Sequence, residues 1–99
     1  WKTGLGDVDQ LEDSQGMMFV FPTSAQQTFW MKDVEYPIDI VWVDDLTVVG
    51  SVTAYPETTN NAGDYVRYVS PGEVNMVLEL PAGTMAMQQI EVGDTVILR

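Results

Sequence analysis

The segment that most constrains the fold is residues 37–43, Pro-Ile-Asp-Ile-Val-Trp-Val, which is apolar at every position but one. In an extended strand, successive side chains point to opposite faces of a sheet. One face of this segment therefore carries Ile38, Ile40 and Trp42, and the other carries two valines and Asp39. A strand with two largely apolar faces is typical of a protein interior. The segment therefore predicts a central strand of a closed or two-layered sheet.

Six further segments have the β-branched and aromatic content of strands and are bounded by turn residues. They are residues 17–21, 28–31, 46–53, 65–69, 75–80 and 95–98. Asp44-Asp45 is a turn signal between two neighbouring strands, which predicts a hairpin over residues 38–53. One short helix is expected after Pro81, because proline suits the first turn of a helix and good helix formers follow it. Residues 57–64 are polar and lack periodicity, which predicts the longest exposed loop.

These elements predict a mainly β fold, a small β-barrel or sandwich-like fold of about seven short strands with one short helix. A barrel is attractive because a small β domain must protect the edges of its sheet. No linker interrupts the chain, so we expect a single domain over residues 1–99. Because the first of these strands begins only at Met17, we also expect that an N-terminal strand of the fold lies upstream of Trp1.

Composition excludes several classes of function. The chain has no cysteine and no histidine, which excludes disulfides, the common zinc, haem, copper and iron–sulfur sites, and Ser–His–Asp triads. Its 15 acidic residues against 4 basic ones give a net charge of −11, and we expect no nucleic-acid partner because affinity for phosphates comes from lysine and arginine. No apolar run approaches the ~20 residues of a membrane-spanning helix. We therefore expect no cofactor and no transmembrane segment, and we interpret the acidic excess as a solvated surface.

The residues that suggest chemistry cluster in residues 29–39. Asp39 is the most informative of them, because a buried carboxylate without a partner is costly. Lys32 is the only interior lysine, so one interpretation is structural: Lys32 forms an ion pair with Asp39 or caps a turn. The other is a functional Lys32 that clamps a substrate carboxylate or acts as a base. Trp30 and Tyr36 flank this lysine and complete a candidate binding surface.

The other acidic groups fit turns and loops. Asp44 and Asp45 are contiguous, so their side chains diverge in a hairpin turn and suit neither a shared proton nor a glycosidase pair. The cluster in residues 7–13 has alternating acids that suggest weak Ca²⁺ binding, but it lacks the spacing of an EF-hand. We therefore assign no metal site, and Ca²⁺-dependent adhesion through this cluster is the weakest of three functional hypotheses.

Five motifs together resemble a known family. They are residues 16–22, 29–33, 37–44, 77–83 and 93–96, and their order and spacing are similar to the domain of unknown function 192 family over nearly the whole chain. The block Phe-Trp-Met-Lys, ending at Lys32, followed by Pro-Ile-Asp-Ile, ending at Ile40, is the specific part of the resemblance. Asp33 departs from the pattern, because the family more usually has asparagine there.

The resemblance implies a small β-rich bacterial or archaeal domain without an established biochemical activity. It also implies an extracytoplasmic location, which means a periplasmic or secreted protein, or one anchored to a membrane through a segment that is not in this chain. A strand that normally precedes the Gly4-Leu5 segment in the family agrees with the expectation of a missing N-terminal strand.

Two further hypotheses about function differ in the class of protein. The first is a non-catalytic, acidic, extracytoplasmic domain that binds a small ligand or a protein partner through Trp30, Lys32, Tyr36 and Asp39, with residues 57–64 as a rim. The alternative is a hydrolase or lyase acting on a sugar or peptide, with Asp39 as acid or base and Lys32 as an electrostatic clamp. Catalysis needs an open pocket in which Lys32 and Asp39 converge, whereas a structural pair is closed over by packing.

Overall fold

The computed structural model describes residues 2–3, 16–31, 34–56 and 66–97. Its elements, in chain order, are β1 (Lys2–Thr3), β2 (Met17–Trp30), β3 (Ile38–Asp44), β4 (Thr47–Ala54), β5 (Arg67–Pro81) and the helix α1 (Thr84–Gln88). The strands form one sheet in the order β1-β2-β5-β3-β4. β1 runs parallel to β2, and each of the other neighbouring pairs is antiparallel.

The mainly β class and the short helix are confirmed, but the predictions of a closed barrel and of about seven strands are wrong. The sheet is open, and five strands occur in the described part of the chain. The predicted strands at residues 17–21 and 28–31 are parts of one long bent strand, β2. Those at residues 65–69 and 75–80 are parts of another, β5. Pro22 and Pro71, which follow the predicted strands at residues 17–21 and 65–69, lie at register shifts between β2 and β5. Proline is tolerated there because an irregular position in the ladder does not need its N–H group.

The two ends of the chain also differ from the prediction. β1 is a strand that precedes Met17, and its two residues pair with Met17 and Met18 of β2. The predicted terminal strand is reduced to one isolated antiparallel bridge between Thr95 and Thr47. Backbone bonds nevertheless hold the terminal segment against the start of β4, because Val48 N–H donates to the Asp94 carbonyl at 2.8 Å.

The predicted central strand and hairpin are confirmed. β3 lies between β4 and β5, and both of its faces are buried. β3 and β4 are joined by the two-residue turn Asp45-Leu46, since Asp44 pairs directly with Thr47. Both turn residues have positive φ, 50° and 63°, which is the geometry that matches the twist of two paired strands.

A hydrophobic core covers each face of the sheet. On the face that carries Ile40 and Trp42, here called the aromatic face, the bent strands bring Phe29 against Phe19 and Trp42, with ring centroids 5.6 and 5.8 Å apart. The opposite face, here called the helix face, has a second core of six buried side chains: Val41, Val43, Val48, Met76, Leu78 and Leu80. Met85, Ile90 and Val96 pack over this second core, so α1 and the segment that follows it cover the helix face.

The helix α1 is short and has a defined boundary at each end. Gly83 precedes it with φ 94°, and Gln89 ends it with φ 54°. The Thr84 hydroxyl donates to the Pro81 carbonyl at 2.6 Å and closes the turn that leads from β5 into the helix. None of the described helices is long and apolar enough to cross a membrane.

Candidate functional site

Asp39 lies on the helix face of β3 and is 2% exposed. One of its carboxylate oxygens, Oδ1, accepts a hydrogen bond from the Thr53 hydroxyl on the neighbouring strand at 2.8 Å. The other oxygen, Oδ2, accepts from the backbone N–H groups of Gly83 and Met85, each at 3.0 Å. Asp39 therefore ties the start of α1 to both strands of the β3–β4 hairpin.

The hydrogen bonds of Asp39 provide partners both for its own carboxylate oxygens and for N–H groups at the start of α1. The first N–H groups of a helix have no partner within the helix, and α1 has no capping side chain of its own at Gly83. A carboxylate from a neighbouring strand takes the place of that cap and receives bonds that are stronger than those between neutral groups. Asp39 has the partners that its burial requires, and they are backbone N–H groups and a hydroxyl.

A groove of about 850 Å³ opens beside Asp39, between α1 and β4. We call it the α1–β4 groove. β4 contributes the polar residues Ser51 and Thr53 to its lining, and α1 with the segment that follows it contributes Ala86, Gln89, Ile90 and Glu91. Among the described residues that line it, the charged side chains are the carboxylates Asp39 and Glu91, so the groove is acidic.

A second, smaller groove of about 330 Å³ lies on the other side of β4. We call it the β4–β5 groove. Its lining includes Trp42, Val49, Tyr68, Val69 and Pro71, together with Arg67. Ser51 and Val52 line both grooves, so the two cavities meet at the middle of β4.

Trp30 and Tyr36 lie away from the α1–β4 groove. Trp30 is 47% exposed, and the Arg67 guanidinium carbon lies 5.1 Å from its ring centroid, which is a cation–π contact. Tyr36 packs against the core of the aromatic face. Burial raises the pKa of its hydroxyl, and the carboxylates of Glu79 and Glu35 raise it further.

Glu79 is a second carboxylate in the middle of the sheet, and it was not among the residues predicted from the sequence. It lies on β5, where it pairs with Met17 on one side and Ile40 on the other. Burial raises the pKa of its carboxyl to about 7. The sequence pattern could have identified Glu79, because it interrupts an apolar run at residues 76–80 just as Asp39 interrupts the apolar run in β3.

The structure places the predicted site residues in different surroundings. Asp39 bonds to elements on the helix face, whereas Tyr36 packs on the aromatic face. Lys32 lies outside the described residues, and so do Asp33, the acidic cluster at residues 7–13 and the whole predicted loop at residues 57–64. The assignment of Trp30, Lys32, Tyr36 and Asp39 to one binding surface stays a prediction. Within the described ranges no cluster of three or more acidic side chains has an arrangement that suits a metal ion.

Two solved structures are similar to this chain. A protein of unknown function from Novosphingobium aromaticivorans shares 32% sequence identity with it at a TM-score of 0.75, over 96% of this chain. The chain spans 65% of the length of that protein. A protein from Sinorhizobium meliloti, described as a candidate transcription regulator, shares 29% identity at a TM-score of 0.76, over 93% of this chain and 68% of its own.

The family comparison agrees with the motifs in the sequence. No curated protein is significantly similar to the chain. The model of the domain of unknown function 192 family, described as Uncharacterized ACR, matches residues 1–98. The protein therefore belongs to the DUF192 family.

Proposed function

We propose that this protein is a non-catalytic binding domain whose ligand or protein partner occupies the α1–β4 groove. The observation that carries the proposal is the groove itself, a concave site of about 850 Å³, which is within the usual size range of binding pockets. Its lining combines the polar residues Ser51, Thr53, Gln89 and Glu91 with the apolar residues Ala86 and Ile90. A few polar groups set against apolar surface are the usual means of orienting a bound molecule.

The contacts of Asp39 favour binding over the alternative of a hydrolase or lyase. A general acid or base must exchange a proton with the substrate through an accessible oxygen. Both oxygens of Asp39 already accept hydrogen bonds from the fold, and its side chain is 2% exposed. In the proposed function Asp39 forms the floor of the groove and keeps α1 in position, and it takes no part in chemistry.

Transcription regulation is not part of the proposal. The related Sinorhizobium meliloti protein is described as a candidate transcription regulator. A net charge of −11 opposes binding to the phosphates of DNA, and this chain has only 4 lysine and arginine residues to offset it.

The proposed location is outside the cytoplasm, and the resemblance to the family supports it. Cell fractionation of a native source tests this part of the proposal independently of binding. Antibody detection in the periplasmic, secreted or membrane-bound fraction is the expected result, and detection in the cytoplasmic fraction alone would overturn it.

The groove is tested by blocking it without disturbing the core. Ala86 and Met87 are neighbouring exposed residues of α1, and of the two only Ala86 lines the groove. Ala86→Trp should fill the cavity, whereas Met87→Trp adds the same side chain outside it. The probes are the tripeptide Lys-Val-Lys, the free amino acids and a set of monosaccharides, each added at millimolar concentration to the ¹⁵N-labelled protein.

The expected result is that at least one probe shifts the backbone amide signals of Ser51, Thr53, Gln89 and Glu91. That response should disappear in Ala86→Trp and persist in Met87→Trp. A groove that responds to no probe, or a response of equal size in both variants, would refute the proposal.

A further inference from the structure

We infer, on the basis of the proposed function of the α1–β4 groove, that the partner is an extended peptide segment of another protein, which binds as an added strand along the outer edge of β4. The segment carries basic and apolar side chains in alternation. Its backbone pairs with β4, and its side chains enter the two grooves that flank this strand.

Within the described part of the chain, the outer edge of β4 is only partly covered. β4 is the last strand of the sheet, and the terminal segment covers its beginning through bonds of Gly93 N–H to Val48 O and of Val96 N–H to Leu46 O. Residues 50–54 pair with β3 on one side, and no described strand pairs with their other side. An uncovered edge presents backbone N–H and C=O groups in the spacing that a further strand needs. These five residues offer an edge of about 17 Å.

The two grooves lie where the side chains of an added strand would point. Successive side chains of a strand alternate between the two faces of its sheet. The α1–β4 groove lies on one side of β4 and the β4–β5 groove on the other, and the two share Ser51 and Val52. In strand addition the backbone bonds supply affinity, and pockets for alternate side chains supply specificity. An open edge between two grooves fits this mode of binding.

The linings of the grooves indicate which side chains fit each one. Asp39 and Glu91 make the α1–β4 groove acidic, which favours lysine or arginine on that side of the peptide. Trp42, Tyr68 and Val69 give the β4–β5 groove apolar surface for a side chain such as valine, and Arg67 in its lining opposes a basic side chain there. A second copy of this chain is a poor occupant, because two chains with a net charge of −11 repel each other.

The test compares peptides that differ in one property at a time. The probe is a seven-residue peptide of alternating lysine and valine with blocked ends. The first control has glutamate in place of lysine, which reverses the charge. The second control keeps every side chain but carries a methyl group on every second backbone nitrogen. It is made in two versions, one methylated at the lysine positions and the other at the valine positions. One of these two versions removes the N–H groups that face β4 and so prevents strand pairing.

Binding is measured by calorimetry, together with amide shifts of the ¹⁵N-labelled protein. The Lys-Val peptide should bind at least about tenfold more tightly than the Glu-Val peptide and than one of the two methylated versions. Glu91→Gln should weaken its binding by roughly threefold to tenfold. Glu73→Gln, which removes the same charge from an exposed position outside both grooves, should leave the affinity unchanged.

The outcomes separate this inference from the proposed function. Equal binding of the parent peptide and both methylated versions would overturn strand addition and leave the groove as a binding site. Groove shifts with monosaccharides or free amino acids but with no peptide would overturn the peptide partner alone. Sedimentation could instead show concentration-dependent dimers whose contacts at β4 are not displaced by the peptide. That result would overturn the peptide partner, because a second copy of the chain would then occupy the edge. Loss of every groove response would refute the proposed function as well.

Discussion

Replacing Glu79 with glutamine should remove a pH-dependent loss of stability from the protein. Glu79 lies on the central strand β5 between Met17 and Ile40, and glutamine has nearly the same shape without an ionisable proton. Burial raises the pKa of this carboxyl from 4.5 to about 7, because ionisation in the folded protein lacks the solvation available in the unfolded chain. The shift corresponds to about 3 kcal/mol of lost stability once Glu79 is ionised in both states.

The sign of the effect follows from the proton count. Below the unfolded pKa both states hold the proton, and Glu79 has no effect on the free energy of unfolding. As the pH rises from 4.5 to about 7, the unfolded chain loses this proton first, so the folded state becomes progressively less stable. Above the folded pKa the loss is complete and constant. The contribution of Glu79 to stability therefore falls with rising pH, opposite to that of a carboxylate whose pKa is lowered by folding.

The assay is urea denaturation of the parent protein and of Glu79→Gln in steps between about pH 5 and about pH 8, where roughly 2 to 3 kcal/mol of the effect develops. The parent should lose this much stability relative to the variant across the range. Glu73→Gln controls for the change in net charge, because Glu73 is an exposed residue of the same strand.

A constant difference between parent and Glu79→Gln across this range would refute the reasoning. It would mean that the folded protein solvates the ionised carboxylate as well as water does. A variant that is less stable than the parent at about pH 8 would also refute it, because glutamine would then lose a favourable contact of the charged group.

Two further predictions concern the start of α1. Asp39→Asn should lower the free energy of unfolding by about 2 to 3 kcal/mol, because an amide offers one acceptor oxygen where the fold supplies three donors. A urea denaturation midpoint within error of the parent would contradict this prediction. Gly83→Ala should lower the free energy of unfolding by about 1 to 2 kcal/mol, since Gly83 has φ 94°. Its control is Gly72→Ala, which should change the urea midpoint little, because neither a positive φ nor a neighbour within 4 Å opposes a Cβ atom there. Equal effects of the two glycine substitutions would contradict the second prediction.

The hairpin of β3 and β4 could be predicted because its signals are local. Alternation in residues 38–43 identifies a strand that is buried on both faces, and the acidic pair Asp44-Asp45 marks the turn. Leu46 completes that turn with a φ of 63°, a value that favours glycine, so the exact turn residues were not evident from composition. A tertiary contact accounts for this positive φ at a leucine, since the Leu46 carbonyl accepts a hydrogen bond from Val96 N–H at 2.7 Å.

The long strands and the open sheet could not be predicted in the same way. Pro22 and Ser70-Pro71-Gly72 are the residues that normally end strands, and here they lie at irregular positions within β2 and β5. A bulge and a strand end have the same local sequence signal, and the pairing of two distant strands decides between them. The strand count and the question of barrel or open sheet therefore depend on contacts that alternation alone does not specify.

The two carboxylates of the central strands show how far the sequence could identify the site. Asp39 pairs in register with Leu80, and Glu79 pairs with Ile40, so the two acids lie one step apart on opposite faces of the sheet. Each is the lone carboxylate of an apolar run, and by that signal they are equivalent. Their surroundings differ, because α1 supplies two N–H donors to Asp39, whereas no described donor bonds to the Glu79 side chain. A lone acid in a buried strand therefore predicts a carboxyl group whose burial is costly, but an element distant in sequence determines whether hydrogen-bond donors offset that cost.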